Sequence, residues 1–368
     1  MHRSATRTIA RANAIMRPLK AVTLLTVSAL AAAATILAPG TATGRAVPDT
    51  NHHHGHRNGP IALSAVTVSG DAYGPNEIAT VTPGPARYRF LTALPEGAFD
   101  PDFTPDGQRI LFWASDDGSD AIFSVPVTGG TLTKIPTGCS ATAGCGDDNP
   151  AVSPNGKKLL TVRSAGPFDD NGCLAFVGIY AFRIDGTHPR RISPTSPACA
   201  EDHVPRWSPD GRSIVFQHLD TTGASLWIMR SDGSQRRQLT PAGMDAGAPD
   251  WSPNGRRIVF QSPDETPDDQ TPQQLYTIHP DGSRLTQITH YQPTTGLLVK
   301  TNGPRWSPDG QKIVFAHLDS RTTIGPDQLH HADLFVMQPD GSRIQQINAT
   351  PEKDNTPAWG PAPRPDHR

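Results

Sequence analysis

Short apolar runs alternate with polar turn residues along most of this chain, and their order repeats. A first turn reads Phe103-Thr-Pro-Asp-Gly107, Val152-Ser-Pro-Asn-Gly156, Trp207-Ser-Pro-Asp-Gly211, Trp251-Ser-Pro-Asn-Gly255 and Trp306-Ser-Pro-Asp-Gly310, with a shortened Trp359-Gly-Pro361 at the end. A β-rich run follows each turn, as in Ile110-Leu-Phe112, Ile214-Val-Phe216 and Ile258-Val-Phe260. A second run, such as Leu226-Trp-Ile-Met229 or Leu334-Phe-Val-Met337, ends in another Asp-Gly turn, and a third, such as Arg237-Gln-Leu239, closes the unit. Pro presets φ at the second turn position, and Gly accepts the positive φ that closes a tight hairpin. With the brief strand that carries the Trp, each unit has four short antiparallel strands and no helical apolar period.

Four-stranded sheets repeated at this spacing predict an all-β protein, a β-propeller with blades packed about a central channel. The large apolar residue before each turn is then an anchor between neighbouring blades. Ala358-Trp359 supplies one inner strand, and Ile61–Val68, Ile78–Thr82 and Tyr88–Thr92 supply three outer ones. Joining them completes a sixth blade and removes exposed sheet edges. The expected organisation is a signal peptide over 1–46, a His-containing tail over 47–60, six blades over 61–361 and a tail over 362–368.

The repeat at 207–240, Trp-Ser-Pro-Asp-Gly…Ile-Val-Phe…Leu-Trp-Ile-Met…Asp-Gly…Gln-Leu-Thr, resembles the WD40-like repeat of TolB-type propellers. The likeness spans about residues 61–361. It does not extend to the α/β domain that precedes the propeller in TolB.

Charge and the first residues change the picture next. Arg3, Arg7, Arg11, Arg17 and Lys20 precede an uncharged stretch from Ala21 to Ala38, followed by small residues, which is the order of a secretory signal. The expected location is secreted or associated with the cell envelope, with no membrane insertion after cleavage. The formal charge is −2 overall; six basic residues and no acid lie in 1–46, so cleavage there leaves 27 basic against 35 acidic residues, or −8. That sign argues against coating nucleic acid or an anionic membrane.

Strand order puts both tight turns of every unit on one face and the longer connections on the other. Those connections are expected at 137–150, 163–173, 194–204, 261–273, 290–303, 317–332 and 349–357. Binding residues favour such loops on a rigid scaffold. Four cysteines fall there, and an even number in an exported chain favours disulfides: Cys139 with Cys145 and Cys173 with Cys199, two other pairings being allowed.

Polar residues gather just before the inner strands, at the expected channel mouth: Asp147, Asp148, Asp202, His203, Asp245, Asn302, Asp354 and Asn355. Such a rim suits a cation, a basic peptide or a sugar, and the plain alternative is that these side chains cap turns. His218 and His317 hold equivalent places eleven residues after their Trp, and with His203 are a candidate three-His metal site. Surface or packing roles are the competing reading. His52-His-His54-Gly-His56 and His330-His331 are weaker metal candidates.

No Gly-x-Ser-x-Gly elbow, phosphate loop or dinucleotide fingerprint occurs, so no residue is assigned a catalytic role. The expected function is a non-enzymatic binding scaffold for a protein, peptide or envelope polymer, needing no cofactor beyond a divalent cation at the mouth. The alternative is a metal-dependent carbohydrate lyase resembling oligogalacturonate lyases, which use related repeats with His ligands.

Overall fold

In the computed structural model, the residues described are 57–69, 72–82, 88–168, 174–194, 199–264, 272–292, 299–319, 332–347 and 353–363. They lie in one compact unit, Gly55–Arg368. Six sheets of four strands each make up the fold, and every pairing is antiparallel. Blade 4 is representative, with strands Glu201–Trp207, Ser213–Asp220, Gly223–Arg230 and Arg237–Gln238 running from the channel outward.

The ring closes as expected. Lys353–Pro361 is the inner strand of blade 1 and pairs with Asn58–Ser69, placing Ile61 opposite Trp359 and Ala62 opposite Ala358. The first strand starts at Asn58, three residues before the boundary drawn at Ile61.

The tight turns fix the register locally. In blade 4 the Gly211 N–H donates to Ser208 O at 2.8 Å, with Gly211 at φ 69°. Asp210 Oδ1 accepts from the Arg212 N–H at 3.0 Å and from Ser208 Oγ at 2.6 Å. Side chain and backbone thus satisfy one another within five residues, so the motif sets the hairpin wherever it appears.

Six apolar clusters hold the ring, one at each contact between blades. Trp207 and Phe216 of blade 4 pack with Leu160 and Ile179 of blade 3, and Trp251 and Phe260 of blade 5 pack with Val215 and Leu226 of blade 4. The repeated Phe112, Phe216, Phe260 and Phe315 are all fully buried, each in a different one of these clusters. Successive strand residues point to opposite faces, so continuous apolar runs such as Ile214-Val-Phe216 and Ile258-Val-Phe260 give their sheets two apolar faces, and only a closed stack buries both.

Several segments expected as loops are paired strand instead. The inner strands begin at Cys145, Glu201 and Val299, and Lys158–Phe168 with Leu174–Arg183 forms a long hairpin. The reason is a bulge repeated in the inner strands. Pairing shifts by one residue between Asp148 and Ala151, between His203 and Arg206, and between Asn302 and Arg305. Each bulge places a residue in the left-handed region directly before a proline: Asp100, Asn149, Val204, Ala248, Gly303 and Thr356, with φ of 40–58°. Proline suits this edge strand because it offers no N–H to the channel, and the bulge lets pairing resume beyond it.

Candidate functional site at the channel mouth

The bulge sorts the inner-strand side chains into three sets, counted back from the anchor. The residue one before the anchor serves the far end of the channel. There, Asp102 accepts the Val152 N–H of the next blade at 2.7 Å, and Asp250 accepts the Trp306 N–H of the next blade at 2.8 Å. Burial lifts both carboxyls, Asp102 to about 6 and Asp250 to about 7, against the opposing pull of Arg206 and those N–H donors. Arg305 lies 3.6 Å from Asp250. At this end the two carboxyls tie blade 2 to blade 3 and blade 5 to blade 6.

Five residues before the anchor, side chains serve the blade itself. Asp147 is fully buried; Arg163 donates to it through Nε at 3.0 Å and Nη2 at 2.7 Å, and Thr161 Oγ1 donates at 2.9 Å. Asp202 takes Ser193 Oγ at 2.6 Å, His218 Nδ1 at 2.8 Å and both terminal nitrogens of Arg236 at 2.5 and 2.8 Å. Burial alone would raise Asp202, but these donors hold it below the usual carboxylate range. Both aspartates are therefore committed to internal pairs rather than offered at the mouth.

Four residues before the anchor stand Phe99, Asp148, His203, Gly247, Asn302 and Asn355, facing the opposite way. Asp148 is half-buried, and its shielded Oδ1 has no hydrogen-bond partner. Loss of water pushes its carboxyl up to about 8; His203 pulls it down, while Asp120, Asp100 and Asp147 push it further up. Burial would lower His203, yet a 2.8 Å hydrogen bond to Glu201 and the charges of Glu201 and Asp148 lift it above the ordinary imidazole value. Beside them, Asn149 Nδ2 and Trp113 Nε1 both donate to Asp100 Oδ2, at 3.0 and 2.8 Å. Asn149 Oδ1 in turn accepts the Val204 N–H at 3.1 Å, so this chain of contacts runs from blade 2 to blade 4.

Gly247 is the exception that reveals another mouth residue. A Cβ there would lie 1.8 Å from Asp264 Oδ1. Asp264 fills the missing side chain's place, held by the amides of Gln217 and Gln261. Asp245 stands behind it, its carbonyl accepting the Asp264 N–H at 2.7 Å and its Oδ1 accepting the Ala224 N–H at 3.2 Å. Asn302 and Asn355 are half-buried in their strands, opposite Ala316 and Ser64. Asp354 pairs with Ala65 along the backbone, and its side chain lies outside the described residues.

The three candidate histidines do not converge. His218 sits opposite Asp202 and His203 opposite Gln217, so they project from opposite faces of the same sheet. His317 belongs to blade 6, stacked on Tyr291 at 4.6 Å and edge-on to Phe335 at 5.2 Å. Among the described residues no three His, Cys, Asp or Glu side chains are grouped to hold a metal ion. His52–His56, His330 and His331 lie outside the described residues.

Cys139 and Cys145 are bonded, with Cα atoms 5.2 Å apart, at the start of the blade 3 inner strand. Cys199 is also disulfide-bonded; Cys173 lies outside the described residues. Among the described residues no helix is long and apolar enough to cross a membrane.

Sequence reasoning missed Asp100, Asp120, Glu201 and Asp264. A signal was present: proline stands two residues before every anchor, at 101, 150, 205, 249, 304 and 357. It marks the bulge, and the bulge decides which neighbours face the channel.

These features define a closed six-bladed β-propeller with polar groups gathered at one end of its channel. Within that class, residues 177–322 match the TolB beta propeller domain. The chain is similar to an uncharacterised protein of Agrobacterium fabrum, 25% identical over 289 residues, covering 75% of this chain and 85% of that one. TolB of Acinetobacter baumannii superposes with a TM-score of 0.62 at 19% identity, over 82% of this chain and 67% of that one. A protein provisionally assigned as TolB in Agrobacterium tumefaciens gives 0.55 at 22% identity, over 78% and 88%. At these identities the structural likeness speaks for the fold alone.

Proposed function

We propose that this chain is an exported, non-enzymatic TolB-like propeller that acts as a binding scaffold, taking a protein or peptide segment by a basic side chain at its channel mouth. The observation that carries this reading is Asp148. Its neighbour Asp147 has three hydrogen bonds, whereas the Asp148 Oδ1 has none and is shielded from water. A buried acceptor without a donor is costly in the free protein, and an arriving ammonium or guanidinium group relieves it. Asp100, Asp120 and Glu201 add negative potential around the same opening. Export is supported by the basic-apolar-small order of residues 1–46.

Binding of a cation requires the ionised carboxylate. With the Asp148 carboxyl near 8, affinity for a basic peptide rises from pH 6 to pH 9 and then levels. Short peptides differing only in one Lys, Arg or norleucine test this by calorimetry. The expected result is selective binding of the basic peptides, falling at least about tenfold in Asp148→Asn. Equal binding of the norleucine peptide, or unchanged affinity in the variant, overturns the reading. Shortening the connections at 261–273 and 317–332 tests whether the long-loop face adds contacts.

A further inference from the structure

The net negative charge of the chain conceals a strongly basic face. Strand order places both tight turns of every blade on the side opposite the mouth. In blades 3 to 6 those turns cover 153–158, 208–213, 252–257 and 307–312, and 183–191, 230–237, 279–286 and 338–345. They hold fourteen Lys or Arg against six Asp. Arg236 turns inward to Asp202, which leaves an excess of seven positive charges on a chain whose total is −2. Two features keep these cations available. Each second-turn Asp folds back on its own backbone, as Asp232 Oδ1 accepts the Ser234 N–H at 2.9 Å and Asp281 Oδ1 accepts the Ser283 N–H at 2.8 Å. Meanwhile no outward Lys or Arg of these turns forms an ion pair among the described residues.

The cations also line grooves. In blade 5, Arg256, Arg257, His279 and Arg284, with Asp281 as the one acid among them, line a depression of about 610 Å³ between the two turns. Blade 4 repeats it on a smaller scale with Arg212, Arg230 and Asp232, at about 290 Å³. A second observation narrows the partner. The large apolar side chains exposed among the described residues are Leu285 and Ile344, at 39% and 43%. They occupy equivalent positions in blades 5 and 6, directly after the exposed Arg284 and Arg343 of the same face. Paired aliphatic tips beside cations, on a face made of equal short turns, match a planar anionic surface with an apolar interior.

We propose that the tight-turn face docks on an anionic phospholipid bilayer, with the blade 5 groove taking a headgroup phosphate and Leu285 and Ile344 entering the acyl boundary. This contact uses the side opposite the mouth, so a docked propeller turns its mouth away from the membrane. It does not rest on the ligand proposed for Asp148.

The test uses residues 55–368, a unit closed by its own first and last strands, in co-sedimentation with lipid vesicles. Vesicles of phosphatidylcholine carrying about 30% phosphatidylglycerol are expected to bind it, and pure phosphatidylcholine vesicles are not. Binding should fall at least about tenfold between roughly 50 and 500 mM salt. Arg212→Glu, Arg256→Glu and Arg284→Glu together should remove it to a similar degree. Leu285→Ser with Ile344→Ser should weaken it about threefold or more at fixed salt. Asp148→Asn should leave it unchanged. Circular dichroism checks that each variant keeps its strands. Equal binding to neutral vesicles, or unaltered binding in the triple variant, overturns the proposal. So does full retention by the Leu285/Ile344 variant together with displacement by soluble polyphosphate, which would assign the face to an anionic polymer.

Discussion

In blade 3 the buried Asp147 is met across the strand pair by Arg163; in blade 4 the corresponding Asp202 is met by His218, and Arg236 arrives from the outermost strand as a second cation. Arg163 spreads over the Tyr180 ring at 4.5 Å, and Arg236 likewise covers Phe216 and Trp227 at 4.8 and 5.0 Å. The two blades therefore solve one problem, an anion inside a sheet, from different positions. A single bidentate guanidinium suffices in blade 3. The imidazole in blade 4 is a weaker partner and needs reinforcement. This comparison explains His218 without a metal: it occupies the place of an arginine.

The largest effect should come from breaking the pair that has no reserve. Arg163→Leu leaves Asp147 buried with Thr161 alone, and should lower unfolding free energy by about 3–5 kcal/mol in chemical denaturation. Arg236→Leu leaves Asp202 with His218 and Ser193, so the loss should be smaller, on the order of 2 kcal/mol. If the two variants prove equally unstable, the idea that blade 4 has a second cation in reserve is wrong.

The next prediction sets Asp148 against its neighbours. Its carboxyl is raised in the fold, so the folded protein holds that proton more tightly than the unfolded chain does. Stability from this group is complete below about pH 4 and declines as pH climbs towards 8. Asp148→Asn should then be near neutral at pH 5 and stabilise by about 1–2 kcal/mol at pH 9. Asp202 has the opposite sign, being depressed: its contribution is present above about pH 4 and is lost on acidification. A denaturation series from pH 3 to 9 separates the two, and a flat Asp148→Asn difference would count against the unrelieved carboxyl.

His218→Gln should have the smallest effect, below about 1 kcal/mol, since Arg236 and Ser193 still hold Asp202. Untagged protein should carry the same metal content before and after this change. A stoichiometric zinc or manganese that vanishes in the variant would restore the three-histidine site.

The blades could be read in the sequence because their determinants are local. Ser208, Asp210 and Gly211 close their turn with bonds inside five residues, and Ile214 and Phe216 show the alternation of a strand between two packed neighbours. The mouth was only half legible. Asp147 and Asp148 look alike in sequence, yet one projects into the blade and the other towards the channel. What separates them is strand phase, reset by the bulge at Asn149-Pro150. Asp264 could not be found from its own neighbourhood, because its position depends on the gap left by Gly247, seventeen residues earlier. For His218 the sequence left a metal role and a packing role open, and strand pairing, which places it opposite Asp202 on one face of its own sheet, is what the sequence could not show.

The pairing of Lys353–Pro361 with Asn58–Ser69 also sets an order of events. Blades 2 to 6 each draw all their strands from neighbouring sequence, but blade 1 waits for a segment synthesised nearly three hundred residues after its partner. Until that segment emerges, blade 1 lacks its inner strand, and with it the Ala358 that packs towards blade 2 and the Trp359 that packs towards blade 6. Such long-range contacts are the slow ones in folding, so nascent chains stalled short of residue 353 should be the form most prone to aggregate.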